Sequence, residues 1–415
     1  MFTVVLLCIA FFAYWCWCRQ RVKTAEPPSL PGAWPLVGHL PLFFGDGCKI
    51  WNQINNVNHH SYGVGGALKV NFGPITVYTI TDPDDCNTIA TTCMEKDPIY
   101  EFSKPLFGES LFISRYEVWK NDYKLLNPAF SQTILNTFID VFNSESRKLV
   151  KEFEKHAGKD PFDHFTYLRH SALDIICMTA LGVGFTDSNL ASDYLHAATS
   201  FIGSLVERVI KIWWHSPYTF AWSKLKKEQD AYLKILHEMS NAKNNYTFLG
   251  TNFKPFVDIL LELSVEKGAF NDEQIRAQVD LMLAAGHETT PNALLFTMVL
   301  LGSHPDVQEK LFSEIQEVLG EDRDVDKMDL SRLQYLEAVV KESLRLFTIV
   351  PQIARQLERD VKLSKTFAMM SMKTTLAHVV RSYRIKADHT KMRLKYVVTL
   401  KPDNDGHYIS IERRT

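Results

Sequence analysis

One long apolar helix with a polar interruption constrains this chain more than any other feature. Residues 271–301 have helical periodicity, with Asn271 as N-cap and Gln274 placed for a capping box. In the middle stands "AAGHETT" (284–290), followed by Pro291. Glycine, threonine and proline all weaken a helix interior, proline by about 3 kcal/mol, and a buried carboxylate adds a desolvation cost. So many departures within one short stretch predict a functional site on this helix.

The proline places a bend on the same stretch. Pro291 removes the backbone hydrogen bond to the carbonyl of His287, and its ring crowds that carbonyl. A bent helix that carries a carboxylate and hydroxyls can hold water and relay protons. The alternative is that Glu288 and the two threonines face solvent along one edge of the helix.

The rest of the chain is predicted to be mainly α with a minor β part. Helical periodicity dominates from about residue 100 to 350, whereas "ALKVNFGPITVYTITDP" alternates as two short strands joined at Gly73-Pro74. The end, "RLKYVVTLKPDNDGHYISIERR", returns to strands with a turn at 403–406. With 415 residues and 46% hydrophobic content, the chain can bury a core in one large domain or two. A net charge of −2 gives no electrostatic footprint for nucleic acid.

The N-terminus predicts a membrane anchor over residues 1–18. Residues 2–18 are uncharged and mostly apolar, at the short end of what spans a bilayer, and Trp15 and Trp17 suit an interfacial belt. Basic residues follow within 19–23, which keeps the body in the cytoplasm. A cleaved signal peptide is the alternative, but a basic start and a small-residue cleavage site are both missing. Residues 19–41 form a basic and proline-rich hinge, or an ordinary linker.

Several motifs, taken together and in order, resemble the cytochrome P-450 superfamily. "WKNDYKLLNPAF" (119–130), "AGHETT" (285–290) and "ESLR" (342–345) are similar to its W-x-x-x-R, central and E-x-x-R helices. "FAMMSMKTTLAHVVRSYRI" (367–385) resembles the helix after its haem-binding loop. The resemblance covers nearly the whole chain and is strongest to the insect branch that includes fatty-acid hydroxylases. It implies a cytochrome P-450-like body over 42–363, then a C-terminal helix and β hairpin over 364–415.

The resemblance implies a microsomal haem-thiolate monooxygenase at the endoplasmic reticulum membrane, with its body facing the cytoplasm. Such an enzyme inserts one oxygen atom into a lipophilic small molecule, with electrons from an NADPH-dependent reductase. Glu288 and Thr289 would be the acid–alcohol pair that delivers protons to iron-bound dioxygen. Ala285 and Gly286 would let haem and oxygen approach the helix.

Further roles concern the rim and the proximal side of the haem. Trp119 and Arg355 would contact the haem propionates, because an indole donor and a fixed guanidinium suit carboxylates. Glu342 and Arg345 would form a structural ion pair in the proximal core. Tyr123 stands where the family has the arginine of W-x-x-x-R. Ala285 stands where some fatty-acid hydroxylases carry a glutamate that esterifies haem, so that attachment is impossible here.

The largest departure is the missing axial cysteine. In the family an F-x-x-G-x-x-x-C-x-G loop precedes the "FAMM" helix, and its thiolate pushes electron density onto iron. Here "ARQLERDVKLSKTFAMM" runs directly into that helix, and no cysteine follows Cys177. The missing stretch, around Ser364 and Lys365, would also supply the arginine that completes the Glu342–Arg345 cluster. The fold is therefore expected to be incomplete and loosely packed from about residue 330 onward.

Some alternatives remain open at the level of sequence. His287, His378 and His389 are possible iron ligands, although ordinary core or surface histidines are commoner, and no metal ligand is assigned. Residues 201–222 would roof the substrate pocket and touch the membrane, or form a buried helix pair. The chain is predicted to be an inactive monooxygenase as its sequence stands. It would otherwise be a non-enzymatic splice form or decayed copy that acts by partner binding, or an incomplete gene model of an active enzyme.

Overall fold

The computed structural model describes residues 27–184, 188–240, 253–356 and 376–413. The described residues fall into two compact units. The first comprises 27–94 and 210–212, and the second comprises 95–209, 213–356 and 376–413. In the described ranges, no helix is both long and apolar enough to cross a membrane. The predicted anchor lies outside them.

The first unit is built on an antiparallel hairpin. Its elements in chain order are α1 (Gly47–Gly63), β1 (Ala67–Phe72), β2 (Ile75–Ile80) and α2 (Pro83–Thr92). The strands pair from Ala67 opposite Ile80 to Phe72 opposite Ile75, which confirms the two strands predicted around Gly73. Gly73 takes a φ of +59°, a turn conformation that residues other than glycine rarely adopt.

The described part of the predicted hinge lies along β1 instead of extending freely. The backbone N–H of Leu30 donates to the carbonyl of Lys69 at 2.9 Å, and that of His39 donates to the carbonyl of Asn71 at 2.7 Å. The His39 ring is fully buried and also contacts the Leu30 carbonyl at 2.7 Å. These bonds give the proline-rich segment partners that its sequence did not reveal.

The second unit is mainly helical with small sheets, as predicted. Its helices are α3 (Lys104–Phe107), α4 (Tyr116–Leu126), α5 (Gln132–Asn136), α6 (Ile139–Glu154), α7 (His164–Leu181), α8 (Ser188–Ile210), α9 (Pro217–Ala221), α10 (Lys224–Ser240), α11 (Phe256–Lys267), α12 (Asp272–Ser303), α13 (Pro305–Leu319), α14 (Lys327–Arg332) and α15 (Gln334–Leu346). Its strands are β3 (Tyr383–Lys386), β4 (Leu394–Val397), β5 (Thr399–Pro402) and β6 (Ser410–Arg413). Apolar side chains of α7, α8, α11 and α12 share one core.

Helix α12 is the predicted central helix, and it runs for 32 residues. Its capping box is confirmed: Gln274 N–H donates to Asn271 Oδ1 at 2.9 Å, and Asn271 N–H donates to Gln274 Oε1 at 3.0 Å. The helix continues through Pro291 and packs along α7. Most of its residues are buried, so its few exposed positions are informative.

The C-terminal strands form two antiparallel pairs, β3 with β6 and β4 with β5. The tight reversal of the β4–β5 hairpin lies at Val398, with a φ of +62°, and not at 403–406. The chain also turns near Asp405, but the strands on either side of that turn pair with other strands. The predicted strands and the turn near residues 403–406 are thus both present, and which strands pair depends on distant partners.

The described residues after 330 are packed, contrary to the expectation of a loose C-terminal part. Residues 376–382 are helical, and the side chains of Leu376 and Val380 are fully buried. The side-chain amide of Gln308 on α13 donates to the carbonyl of Ile385 at 2.9 Å and accepts from its N–H at 2.7 Å. On α15, Leu336 and Val340 are fully buried. The described segment packs through its own apolar side chains and hydrogen bonds.

Candidate active site

Glu288 lies inside the protein, where strand β5 meets helix α12. Its side chain is 5% exposed, and Oε1 lies 2.5 Å from the ammonium nitrogen of Lys401, which is 7% exposed. The Thr399 hydroxyl donates to the same oxygen at 3.0 Å. The solvent-facing alternative for Glu288 is therefore wrong.

The charges around Glu288 favour its ionised form. Burial alone raises the pKa of Glu288, but Lys401, His287 and Arg169 together bring that pKa below its ordinary value. Burial lowers the pKa of Lys401, and the facing Glu288 carboxylate opposes that shift. Each partner thus keeps its charge through the other. A carboxylate at this depth costs free energy unless it is paired, and here it is paired.

The two other groups near the carboxylate have partners of their own. Arg169 on α7 donates from Nη2 to the Leu195 carbonyl at 2.9 Å and to the Thr199 hydroxyl at 2.6 Å. The His287 ring is fully buried, with Nδ1 2.7 Å from the carbonyl of Leu283 and Nε2 3.9 Å from Glu288 Oε2. Burial lowers the pKa of His287 to about 4, so its ring is neutral at pH 7.

Ala285 and Thr289 lie on a different face of the helix from Glu288. Ala285 is exposed and Thr289 is half-buried, in the middle of a helix that is otherwise mostly buried. These residues are four apart, so they share one face, whereas Glu288 and Thr289 are neighbours that point about 100° apart. The Thr289 hydroxyl donates to the Ala285 carbonyl at 2.8 Å, and no hydrogen bond joins it to Glu288. The helix thus presents the exposed Ala285 and the half-buried Thr289 on one side, which together we call the notch, and the buried Glu288 on the other.

Gly286 has a packing reason of its own. A Cβ atom at this position would lie 2.7 Å from Cγ1 of Ile176 on α7 and 2.8 Å from its Cδ1. The close approach of α7 therefore requires glycine here. Its predicted role in admitting haem stays a prediction.

Trp119 and Tyr123 form a stack on α4. Their ring centroids are 4.9 Å apart and the planes lie within 15° of each other. Tyr123 occupies the position of the family arginine, and its ring packs against the indole instead of adding a charge. Trp119 remains half-buried. An indole held in this way keeps its N–H as a donor for an acceptor such as a carboxylate.

Sequence reasoning missed Lys96, which adjoins Arg355. The two residues form an isolated antiparallel β-bridge, and the Lys96 ammonium donates to the Leu111 carbonyl at 2.6 Å. Burial and the nearby Arg355 lower the pKa of Lys96 to about 8. Neither cation pairs with an acidic side chain of the described residues, so together they favour an anionic group. No motif marks Lys96, because its neighbour lies far along the chain.

The E-x-x-R pair forms as predicted but not in a buried core. Arg345 donates from Nε and Nη2 to the two carboxylate oxygens of Glu342 at 2.7 and 2.8 Å. The side chains are 68% and 55% exposed, respectively. Among the described residues the pair lies on the surface of α15.

The described residues fit part of a haem and not its iron. The notch at Ala285 and Thr289 offers a flat group a face, and Trp119, Lys96 and Arg355 suit carboxylates. The loop that would carry the axial cysteine is missing from the sequence, and no cysteine follows Cys177. Cys177 is fully buried in the core that α7 shares with α8 and α12, and burial raises its pKa well above the ordinary value. The described residues therefore support no chemical step at a haem iron.

The histidine alternatives have other partners. His378 is buried, with Nε2 2.9 Å from Asn143 Oδ1 and Nδ1 3.2 Å from Arg381 Nη2. The ring of His389 stacks on that of His304, with centroids 5.4 Å apart. A wide surface depression of about 750 Å³, bordered by Ile134, Phe253 and other residues, is lined by none of the predicted haem contacts.

The comparisons with known proteins agree with the motifs. The family model described as "Cytochrome P450" matches residues 27–367. The chain is 33% identical over 374 residues to cytochrome P-450 4V2 of Homo sapiens and of Pongo abelii, which covers 83% of this chain and 70% of each relative. It is 31% identical over 376 residues to cytochrome P-450 4c3 of Drosophila melanogaster, with the same two shares. The chain belongs to the cytochrome P-450 family of monooxygenases, for which haem, a reductase partner and a small-molecule substrate are implied.

Proposed function

We propose that this chain keeps the proton-handling wall of a monooxygenase site but lacks the thiolate that activates oxygen. It therefore does not insert oxygen into a substrate as its sequence stands. The observation that carries the proposal is the contrast between the polar turn and the cysteines. Glu288 and Thr289 are both present on α12, whereas the last cysteine of the chain, Cys177, is enclosed in an apolar core.

The candidate site residues retain definite capacities. The Thr289 hydroxyl faces the notch and can hold a proton or a water molecule at Oγ1. Lys401 and Thr399 occupy Oε1 of Glu288, so the oxygen left to accept a proton is Oε2, which lies 3.9 Å from His287 Nε2. Trp119, Lys96 and Arg355 can bind carboxylates at the rim. These capacities suit the haem that the family implies, and they lack an axial donor.

The proposed setting is the endoplasmic reticulum membrane, with residues 2–18 as anchor and the body facing the cytoplasm. The basic residues within 19–23 support this orientation. The implied partners are an NADPH-dependent reductase and a lipophilic small molecule, and not nucleic acid. In the 201–222 region Tyr218 is 82% exposed and Trp222 is 89% exposed, whereas Phe220 is buried. Exposed aromatic side chains favour membrane contact over a wholly buried helix pair.

Two other origins would give a chain of this kind. A non-enzymatic splice form or decayed copy would act only through partner binding, and an incomplete gene model would hide an active enzyme. The family match runs to residue 367, and the chain from 376 to 413 is packed. Sequencing the transcript across the codons for Leu363 to Phe367 separates these origins. A continuous message supports the non-enzyme, and an intervening exon supports the enzyme.

The direct test is the carbon monoxide difference spectrum of the reduced, full-length chain supplied with haem. We expect no thiolate-type band, because neither imidazole nor water replaces the electron donation of sulfur. The matched control carries a family-like cysteine loop between Ser364 and Thr366 and should give that band. A thiolate-type band from the 415-residue chain would contradict the proposal, and serine substitution of each of its 7 cysteines in turn would then identify the donor.

A further inference from the structure

We propose that Lys401 is a positioning residue for Glu288. Its ammonium keeps the Glu288 carboxylate ionised and turned toward the β4–β5 hairpin, away from Thr289. The importance of this arrangement for proton delivery rests on the proposed function above. The pairing itself involves neither haem nor cysteine and belongs to the chain as it stands.

The strand geometry gives Lys401 a fixed approach. Thr399 and Lys401 are two residues apart on β5, so their side chains leave the same face of the strand. Both reach Oε1 of Glu288, at 3.0 and 2.5 Å. All four residues of β5 are buried, so the ammonium cannot move into water without moving the strand. One carboxylate oxygen is thus held by two donors from one rigid element.

Other charged and titratable groups also face this carboxylate. Arg169 approaches from α7, Tyr194 from α8 and His287 from the same helix, and Lys395 on β4 lies near Lys401. Arg169 donates to Leu195 and Thr199, and Lys395 pairs with Asp403. Among the described lysines and arginines, Lys401 alone forms an ion pair with Glu288. The other groups modify the local potential and do not hold the carboxylate.

The arrangement has a consequence for the acid–alcohol pair. The Glu288 oxygen on the hairpin side is occupied, and the Thr289 hydroxyl donates to the Ala285 carbonyl. A proton can pass directly between Glu288 and Thr289 only if the carboxylate first leaves Lys401. The hairpin therefore defines the resting position of the acid, and loosening it would bring acid and alcohol together.

The test compares K401M, E288Q, K401R and the double variant K401M/E288Q in the full-length chain. Methionine keeps the apolar stem and removes the charge. Removing one partner of a buried pair leaves an uncompensated charge, so we expect K401M to raise the unfolding equilibrium constant by about 150- to 5,000-fold at pH 8. Adding E288Q should recover most of that loss, because no buried carboxylate remains.

The pH dependence separates charge pairing from simple packing. In the unaltered chain the folded pKa of Glu288 is lowered, so its contribution to stability is present above the unfolded pKa of about 4.3 and is lost as pH falls. In K401M the unpaired carboxylate has a raised pKa, so Glu288 should destabilise the folded chain increasingly as pH rises from 5 to 8. Buried histidines such as His287, whose pKa is lowered to about 4, titrate in every variant, so each stability curve is compared with that of the unaltered chain. The stability deficit of K401M should grow over that range, whereas the differences of K401M/E288Q and K401R from the unaltered chain should stay constant.

The outcomes are decisive in either direction. A K401M chain that is as stable as K401M/E288Q at pH 8, or whose stability deficit relative to the unaltered chain does not grow as pH rises from 5 to 8, overturns the proposal. If K401M cannot be purified but K401M/E288Q can, the charge is responsible and the proposal holds. If both fail to fold, neutralising Glu288 does not relieve the loss, so charge pairing with Glu288 is not what Lys401 contributes and the proposal is wrong. Because none of these measurements uses haem, they stand apart from the carbon monoxide spectrum.

Discussion

Two glutamate–cation pairs in this molecule have nearly the same contact distance and opposite surroundings. Lys401 and Glu288 meet at 2.5 Å with side chains 7% and 5% exposed, and Arg345 and Glu342 meet at 2.7 Å with side chains 68% and 55% exposed. Water screens the second pair and hardly reaches the first. The distance between charges therefore says little about what a pair contributes. Burial decides it.

The largest effect expected from this comparison is the loss of the buried cation. K401M should lower the free energy of unfolding by about 3–5 kcal/mol at pH 8, because it leaves Glu288 buried without a counter-charge. Chemical denaturation followed by circular dichroism measures it. The matched variant R345M removes a cation from the exposed pair. Similar losses in K401M and R345M would show that burial is not what separates them.

The two pairs also differ in how far the sequence reveals them. Glu342 and Arg345 are three residues apart on one helix, so the motif alone predicts their contact. The partner of Glu288 lies on a strand beyond the end of every recognised motif, and no local pattern connects them. Lys96 escaped notice for the same reason, because its neighbour Arg355 lies far along the chain. Sequence reasoning found the helix and its acid, and missed the groups that hold that acid.

Local chemistry explains where prediction succeeded in the fold. The capping box at Asn271 and the β1–β2 hairpin depend on neighbouring residues, and both form as predicted. The β4–β5 reversal at Val398 was missed, because valine is an uncommon residue at positive φ and carries no turn signal. The docking of residues 376–413 depends on contacts such as Gln308 with Ile385, which no local rule contains.

A second, smaller effect tests the other donor to Glu288. T399V keeps the shape of the side chain and removes the hydroxyl that donates to the carboxylate at 3.0 Å. A hydrogen bond to a charged group contributes about 1.5–3 kcal/mol, so the free energy of unfolding should fall by that amount and by less than in K401M. The double variant T399V/E288Q is the control, in which the hydroxyl has no charge to bind. Equal losses with and without E288Q would assign the effect to packing alone.

A third effect concerns Gly286, which lies two residues before the buried Glu288. G286A places a Cβ atom about 2.7 Å from the Ile176 side chain, and overpacking of this kind costs about 1–3 kcal/mol. Adding I176V removes one of the crowding carbons and should restore part of the stability. A285G, at the exposed neighbouring position, should lose only the helix propensity of alanine, about 1 kcal/mol. If I176V gives no relief, the α7–α12 contact is not what requires glycine.

The smallest expected effect is at the exposed pair, and it sharpens the comparison most. R345M and E342Q each remove one charge from a pair whose members are both more than half exposed. Exposed ion pairs contribute little because water and salt screen them, so neither variant should shift the denaturation midpoint beyond experimental error. Adding salt should leave the difference between each variant and the unaltered chain unchanged.

The informative control is the chain that carries a family-like cysteine loop between Ser364 and Thr366, where the resemblance predicts a third partner for these two residues. R345M should destabilise that restored chain markedly, because there its removal leaves Glu342 in a buried ionic cluster. A marked loss in the present chain as well would mean that the pair is already enclosed in solution, and the contrast between the two pairs would then disappear.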